Sequence, residues 1–222
     1  MHFEIFRPFF FMVFSFRYSY LLFTIMYFLL TITLYLCVFV APCDFQQGEN
    51  YRIIFLHVPV AWMSVFLYIC SSILSFLFLI NKHPIFSISA KIICKLGALF
   101  TFLTLITGSF WGKPMWGTFW VWDARLTSVL ILFFIYLGAL RFYTFSAEIA
   151  SLFICIGLIN IPIIKFSVNW WNTLHQPSSI TQFGSSIHIS MLLPILCMFF
   201  SLLLIFLLIL CIELRKFILN SY

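Results

Sequence analysis

The chain has 222 residues, of which 64% are hydrophobic and only 8% charged, with a mean hydropathy of +1.14. Too few polar groups remain to cover a soluble domain, so the composition implies an integral membrane protein. Lys+Arg 12 against Asp+Glu 6 gives a net charge of +6, which cannot form the contiguous basic stripe that nucleic-acid binding needs and is read instead as a topology signal.

The predicted fold class is all-α: a polytopic integral membrane protein with six transmembrane helices in a single membrane domain over 1–222. A hydrocarbon core of ~30 Å takes about 20 apolar residues to cross. Stretches that meet this without a central charge run at about 19–42, 53–80, 92–110, 126–145, 149–165 and 187–212. Arg7 and Arg17 precede the first, but it is too long for the apolar region of a signal peptide and is expected to stay as an uncleaved span. Ala41-Pro42-Cys43 lacks the small residue that lipoprotein processing would want before cysteine.

The seven cysteines, Cys37, Cys43, Cys70, Cys94, Cys155, Cys197 and Cys211, contain no C-x-x-C pair, so neither a disulfide framework nor a zinc site is expected. The absence of C-x-x-C-H also argues against a covalently attached c-type haem on this chain.

With the N-terminus inside, that side collects Arg7, Arg17, Lys82, Lys91, Lys95, Arg141, Arg215 and Lys216, while the opposite side holds Arg52, Lys113, Arg125 and Lys165. The bias puts both termini inside. The connections around 43–52, 111–125 and 166–186 then face the periplasm or intermembrane space.

The 31 phenylalanines are spread through every span and mark no site. The seven tryptophans, Trp62, Trp111, Trp116, Trp120, Trp122, Trp170 and Trp171, all fall on the outer side of this topology. Four lie between Trp111 and Trp122, where Gly112, Pro114 and Gly117 would break a helix and predict a shaped outer loop or shallow re-entrant platform over 111–125. An aromatic belt normally marks both interfaces, so a one-sided cluster also fits a ligand platform. Both readings stay open on spacing alone.

His57, near the outer end of the second span, and His175, in the third outer connection, bracket the tryptophan segment. Two neutral imidazoles can ligate haem iron from opposite faces while indoles wall the porphyrin. Singly, His57 reads equally as a helix-end polar residue and His175 as a solvated loop histidine. His2 and His83 lie inside; His188, at the outer start of the last span, has no evident partner. Arg125 suits a haem propionate, or pairs with Asp123, which itself suits the helix-capping position before the fourth span. Arg52 and Lys113 are further propionate candidates.

Trp116-Gly117-Thr118-Phe119-Trp120-Val121-Trp122-Asp123 fits W-G-x-x-W-x-W-D. With its flanks, Gly108 to Met115 and Ala124 to Ser128, and with Tyr51 to Pro59 and Val168 to Gln176, it resembles the CcmC family of cytochrome c maturation proteins, also called haem exporter protein C. Three motifs in the family's order cover about 40–176, and the family's paired histidines fall on His57 and His175; the chain ends are generic apolar sequence.

The resemblance implies a haem-delivery protein that holds haem b non-covalently, with His57 and His175 as the iron ligands and Trp111, Trp116, Trp120, Trp122, Asp123 and Arg125 at the cofactor. It further implies presentation to the haem chaperone CcmE, on which the covalent bond forms, with CcmD and the transporter subunits CcmA and CcmB as partners. No catalytic residue is expected on this chain. The membrane would be the mitochondrial inner membrane if the protein is organelle-encoded, otherwise the bacterial inner membrane. The alternatives are a b-type haem electron-transfer subunit, which more often buries its ligands on facing helices, and a channel or transporter without haem, for which intramembrane charges and a filter-like repeat are missing.

Overall fold

The structure is a computed structural model and describes residues 8–171, 174–175, 180–181, 184–185 and 187–220. Among these, the helices are α1 (Pro8–Tyr35), α2 (Ile54–Asn81), α3 (Pro84–Trp116), α4 (Ala124–Phe142), α5 (Ala147–Gly157), α6 (Asn160–Trp170) and α7 (Ile189–Asn220). They make six spans long and apolar enough to cross a membrane, α5 and α6 together forming the fifth. Two residue pairs, Ile180–Thr181 and Gly184–Ser185, form a small antiparallel β1–β2 ladder in the connection before α7.

A π-helical turn at Leu36–Val40 lengthens α1, and a 3₁₀ turn at Glu49–Ile53 leads into α2. Between them the chain reverses on Asp44, whose Oδ1 accepts from the N–H groups of Gln46 and Gln47 at 2.9 and 2.8 Å. Gly48, at φ 56°, closes this loop through its N–H to the Asp44 carbonyl. Lys82 ends α2, and its ammonium reaches Glu148 at the start of α5 at 2.7 Å. His83 caps α3, accepting from the Ile85 N–H, with Pro84 in the first helical position.

The interior lies where α2, α3, α4 and α5 meet, around Tyr68, Cys94, Leu132, Tyr136 and Ile154. A second cluster, including Met63, Leu67, Ile93 and Phe206, joins α2 and α3 to α7. The span containing α1 is the least buried of the six, and α1 rests on α7. Being apolar nearly all round, it is suited to lipid on its free faces.

Two segments differ from the sequence reading. The fifth span is broken: Pro162 has no N–H to return to Leu158, whose carbonyl is taken instead by Ile161 in a tighter turn at 3.0 Å. The Leu158 N–H correspondingly turns to Cys155, and the Tyr68 hydroxyl donates to the Ile154 carbonyl at 2.8 Å. Asn160 ties the start of α6 to the Ser128 carbonyl at 2.9 Å. In hydrocarbon a loosened backbone needs such internal partners.

The second difference is at the tryptophans. Instead of a loop over 111–125, α3 continues to Trp116, and only 117–123 are non-helical. Pro114 removes a single N–H close to a helix end, where the last turn needs few of them. Gly117, left-handed at φ 75°, closes the helix by donating its N–H to the Lys113 carbonyl at 3.0 Å. Trp111 and Trp116 therefore project from a helix rather than from a loop.

Candidate functional site

Consecutive spans run antiparallel, which brings the start of α2, the end of α3, the start of α4, the end of α6 and the start of α7 to one end of the bundle. All the residues expected to form a site lie there. Trp62 does not join them: it packs deeper, edge-on to Phe199 of α7 beside a cluster containing Tyr51, Phe55 and Ile195.

His57, in the first turns of α2, lies against α3. Its Nδ1 is 2.9 Å from Thr107 Oγ1, and its ring meets Trp111 edge to face at 5.6 Å. Gly108 makes this possible, because a Cβ there would stand 2.9 Å from His57 Cε1. One turn further on, Gly112 does the same for Trp116, whose Cε3 would be 2.9 Å from an added Cβ. The pair Gly108/Gly112, four residues apart on one helix face, forms a ledge on which an imidazole and an indole rest. Trp111 is fixed in turn by its indole N–H, which donates to Gln47 Oε1 at 2.9 Å.

Beyond the helix, Trp120 and Trp122 meet edge to face at 5.5 Å, and Trp122 is 77% exposed. The Trp120 indole N–H is buried and has no acceptor among the described residues. Asp123 Oδ1 accepts the Leu126 N–H at 2.7 Å and caps α4, whereas its buried Oδ2 has no donor there. The capping reading of Asp123 thus holds for one oxygen only. Arg125 makes no ion pair with Asp123 at contact distance, nor with any other described carboxylate. A donor indole and a guanidinium with no carboxylate at contact distance among the described residues, beside exposed aromatic faces, suit a flat apolar ligand that carries carboxylates.

Two further bases at this end are already engaged. Arg52 bonds the Glu49 carboxylate and the Cys37 carbonyl, and Lys113 donates to the Gly117 carbonyl at 2.9 Å while lying over the Phe119 ring.

His175 belongs to the connection between α6 and α7. Its imidazole comes within charge–charge range of His57, as does the Arg125 guanidinium. Trp170 and Trp171, at the end of α6, are exposed and continue an aromatic ladder from Phe166. His188 is not part of this group: its Nδ1 faces the Ser190 hydroxyl and N–H, capping α7. His2 lies outside the described residues.

What sequence reasoning overlooked is the contacts of Gln47, Thr107, Gly108 and Gly112. Thr107-Gly108-x-x-x-Gly112 was visible as small residues at helical spacing, but only the packing reveals which side chains fill the space they leave.

A family model described as heme exporter protein C, CcmC, matches residues 2–222. The chain is similar to a cytochrome c biosynthesis ccmC-like mitochondrial protein of Marchantia polymorpha, 65% identical over 222 residues, covering 100% of this chain and 97% of the relative. It is also similar to the heme exporter protein C of Bradyrhizobium diazoefficiens, 52% identical over 165 residues (71% of this chain, 63% of the relative). That of Escherichia coli K12 is 46% identical over 148 residues (64% and 60%).

Proposed function

The chain belongs to the heme exporter protein C family, membrane proteins of haem handling for cytochrome c biogenesis, and from that premise we propose that it binds haem b non-covalently between His57 and His175 and delivers it to the chaperone CcmE. The observation that carries this reading is the convergence of the two imidazoles. They are 118 positions apart in sequence, yet the fold brings them near one another at the end of the bundle that holds the tryptophan segment.

Each residue has a distinct part. The imidazoles bind iron; Trp111, Trp116, Trp120 and Trp122 wall the macrocycle; Arg125 and the Trp120 indole N–H take the propionates. Asp123 orders the start of α4 and so sets the position of Arg125. Because the site opens at one end instead of bridging two facing helices in mid-bundle, it suits hand-over to a partner better than electron transfer across the membrane.

CcmD, CcmA and CcmB are the further partners in this reading, and the covalent haem bond forms on CcmE. The likeness to mitochondrial relatives, full-length in one of them, favours the mitochondrial inner membrane. The Lys/Arg-rich end, with both termini, then faces the matrix and the tryptophan end the intermembrane space.

The test is a visible spectrum of the purified protein. A low-spin haem band that is lost in His57→Ala and in His175→Ala, and partly restored by added imidazole, is expected. Unchanged spectra in both variants overturn the ligand assignment, and a wild-type protein without a Soret band returns the channel reading.

A further inference from the structure

We propose that Thr107 is a positioning residue that holds His57 in the Nδ1-protonated tautomer, leaving Nε2 as the nitrogen with a free lone pair for iron. The proposal rests on the reading of His57 as an axial ligand, and it follows from counting hydrogens. Thr107 has one hydroxyl proton. Its Oγ1 lies 2.7 Å from the Leu103 carbonyl one turn back on α3, with the Thr104 carbonyl at 3.3 Å. Carbonyls only accept, so the proton points to them.

What Thr107 then turns toward His57 Nδ1, at 2.9 Å, is a lone pair. An unprotonated Nδ1 would set two lone pairs against each other at that distance, so Nδ1 carries the hydrogen. A neutral imidazole has only one, and Nε2 is therefore bare.

The surroundings preserve this orientation. Gly108 lets the ring bring its Cε1 edge against the α3 backbone, and Trp111 meets the ring edge to face. Thr107 Oγ1 gives Nδ1 a bond of good length at 2.9 Å, and the Thr104 backbone carbonyl is a second acceptor beside the imidazole. A ligating histidine whose second nitrogen donates in this way has a fixed ring plane and a more basic coordinating nitrogen, and losing that partner typically costs about ten- to a hundredfold in metal affinity.

The experiment uses the full chain in detergent, with two readouts. In haem-free protein carrying ¹⁵N-histidine, NMR assigns the His57 tautomer by comparison with His57→Ala. In loaded protein, titration with haem and the low-spin electron paramagnetic resonance spectrum report affinity and ligand-plane orientation. Wild type should be Nδ1-protonated. Thr107→Val, similar in size but without an acceptor, should release the tautomer to a mixture, weaken haem binding about ten- to a hundredfold and shift the resonance spectrum. Thr107→Ser should restore all three.

An Nε2-protonated His57 in the wild type overturns the proposal, as does a Thr107→Val protein with unchanged tautomer and unchanged affinity. If Thr107→Val does not accumulate, the wild-type tautomer and the Thr107→Ser titration still decide, because a serine that fails to retain haem at normal abundance contradicts the hydroxyl's role. Failure of the underlying reading looks different: haem binding would then survive His57→Ala, whatever tautomer the apo-protein shows.

Discussion

Gly108 of α3 lies directly under the imidazole of His57, leaving no room for a methyl group: a Cβ would stand 2.9 Å from Cε1. Gly108→Ala must therefore push the ring away from Thr107 and Trp111, or separate α2 from α3. Overpacking of this kind costs about 1–3 kcal/mol, and here it falls on the proposed iron ligand. The expected result is a drop of about tenfold in haem retention at near-normal protein abundance, read from the Soret band. Gly112→Ala is the control, since its Cβ would meet Trp116 rather than His57. It should keep the low-spin signature of two imidazole ligands while altering the tryptophan fluorescence.

Tyr68 and Gly157 form a second tight pair, in the core. A Cβ at Gly157 would stand 2.1 Å from the Tyr68 hydroxyl, the same hydroxyl that satisfies the Ile154 carbonyl next to the break between α5 and α6. Tyr68→Phe should destabilise by about 1–3 kcal/mol, because a carbonyl in an apolar interior loses its added donor. Gly157→Ala should cost more. Combining them should cost less than the sum of the single changes, since the phenylalanine lacks the oxygen that the alanine would strike. Thermal unfolding in detergent measures all three, and strict additivity would show that the pair does not interlock.

These two relationships also mark what the sequence disclosed. Six spans could be read from apolar length, because hydrocarbon thickness sets a hard requirement. Their ends could not: α3 starts at Pro84 and runs to Trp116, well past the apolar window of 92–110, because residues such as Lys91 and Lys113 stay helical outside the part that apolarity marks. Gly112 and Pro114 read as helix breakers from local chemistry, yet a proline near a helix end removes only one bond, and a glycine packed under an indole is a contact rather than a hinge. At the site, His57, Asp123 and Arg125 stood out by residue type alone. Thr107 and Gly108 did not, since a threonine and a glycine in an apolar helix are unremarkable until the ring resting on them is located.

Topology can be tested with a thiol the protein already has. Cys43 is exposed in the loop before α2, at the tryptophan end, while the other six cysteines are buried or partly buried in spans. In mitoplasts or spheroplasts, a membrane-impermeant maleimide should label Cys43 from the intermembrane-space or periplasmic side. Labelling only after the inner membrane is opened would invert the topology. The reaction needs the thiolate, and the Glu49 carboxylate, hydrogen-bonded to this thiol, pushes its pKa up. Labelling should therefore accelerate as pH rises past the usual thiol range. Glu49→Gln should bring the pKa down and speed the reaction at a fixed pH of about 8, whereas an unchanged rate would mean that the carboxylate does not govern this thiol.

The last prediction separates a haem platform from an interfacial anchor at Trp120 and Trp122. If the two indoles only hold the 117–123 segment at headgroup depth, phenylalanine or tyrosine at both positions should preserve function, because either ring keeps much of the amphipathic or apolar character. If they face a porphyrin and a docking partner, ring size and the indole N–H matter. Trp120 then matters for retention as well as shape, its buried N–H being unpaired among the described residues, whereas Trp122, 77% exposed, is placed to meet the partner. Trp122→Ala should impair transfer to the chaperone more than retention of haem, since the two imidazoles still hold iron. Trp120→Phe should weaken retention modestly, by the value of one hydrogen bond to a charged group, about 1.5–3 kcal/mol, and Arg125→Ala by at least as much. Arg125→Lys should rescue only in part, a lysine lacking the planar fork that matches a carboxylate. Chaperone loading is measured against haem bound at equal protein abundance. Normal loading by a Trp120→Ala, Trp122→Ala double variant would reduce the segment to a membrane anchor, and loss of binding in Arg125→Ala alone would leave the guanidinium as the principal polar contact.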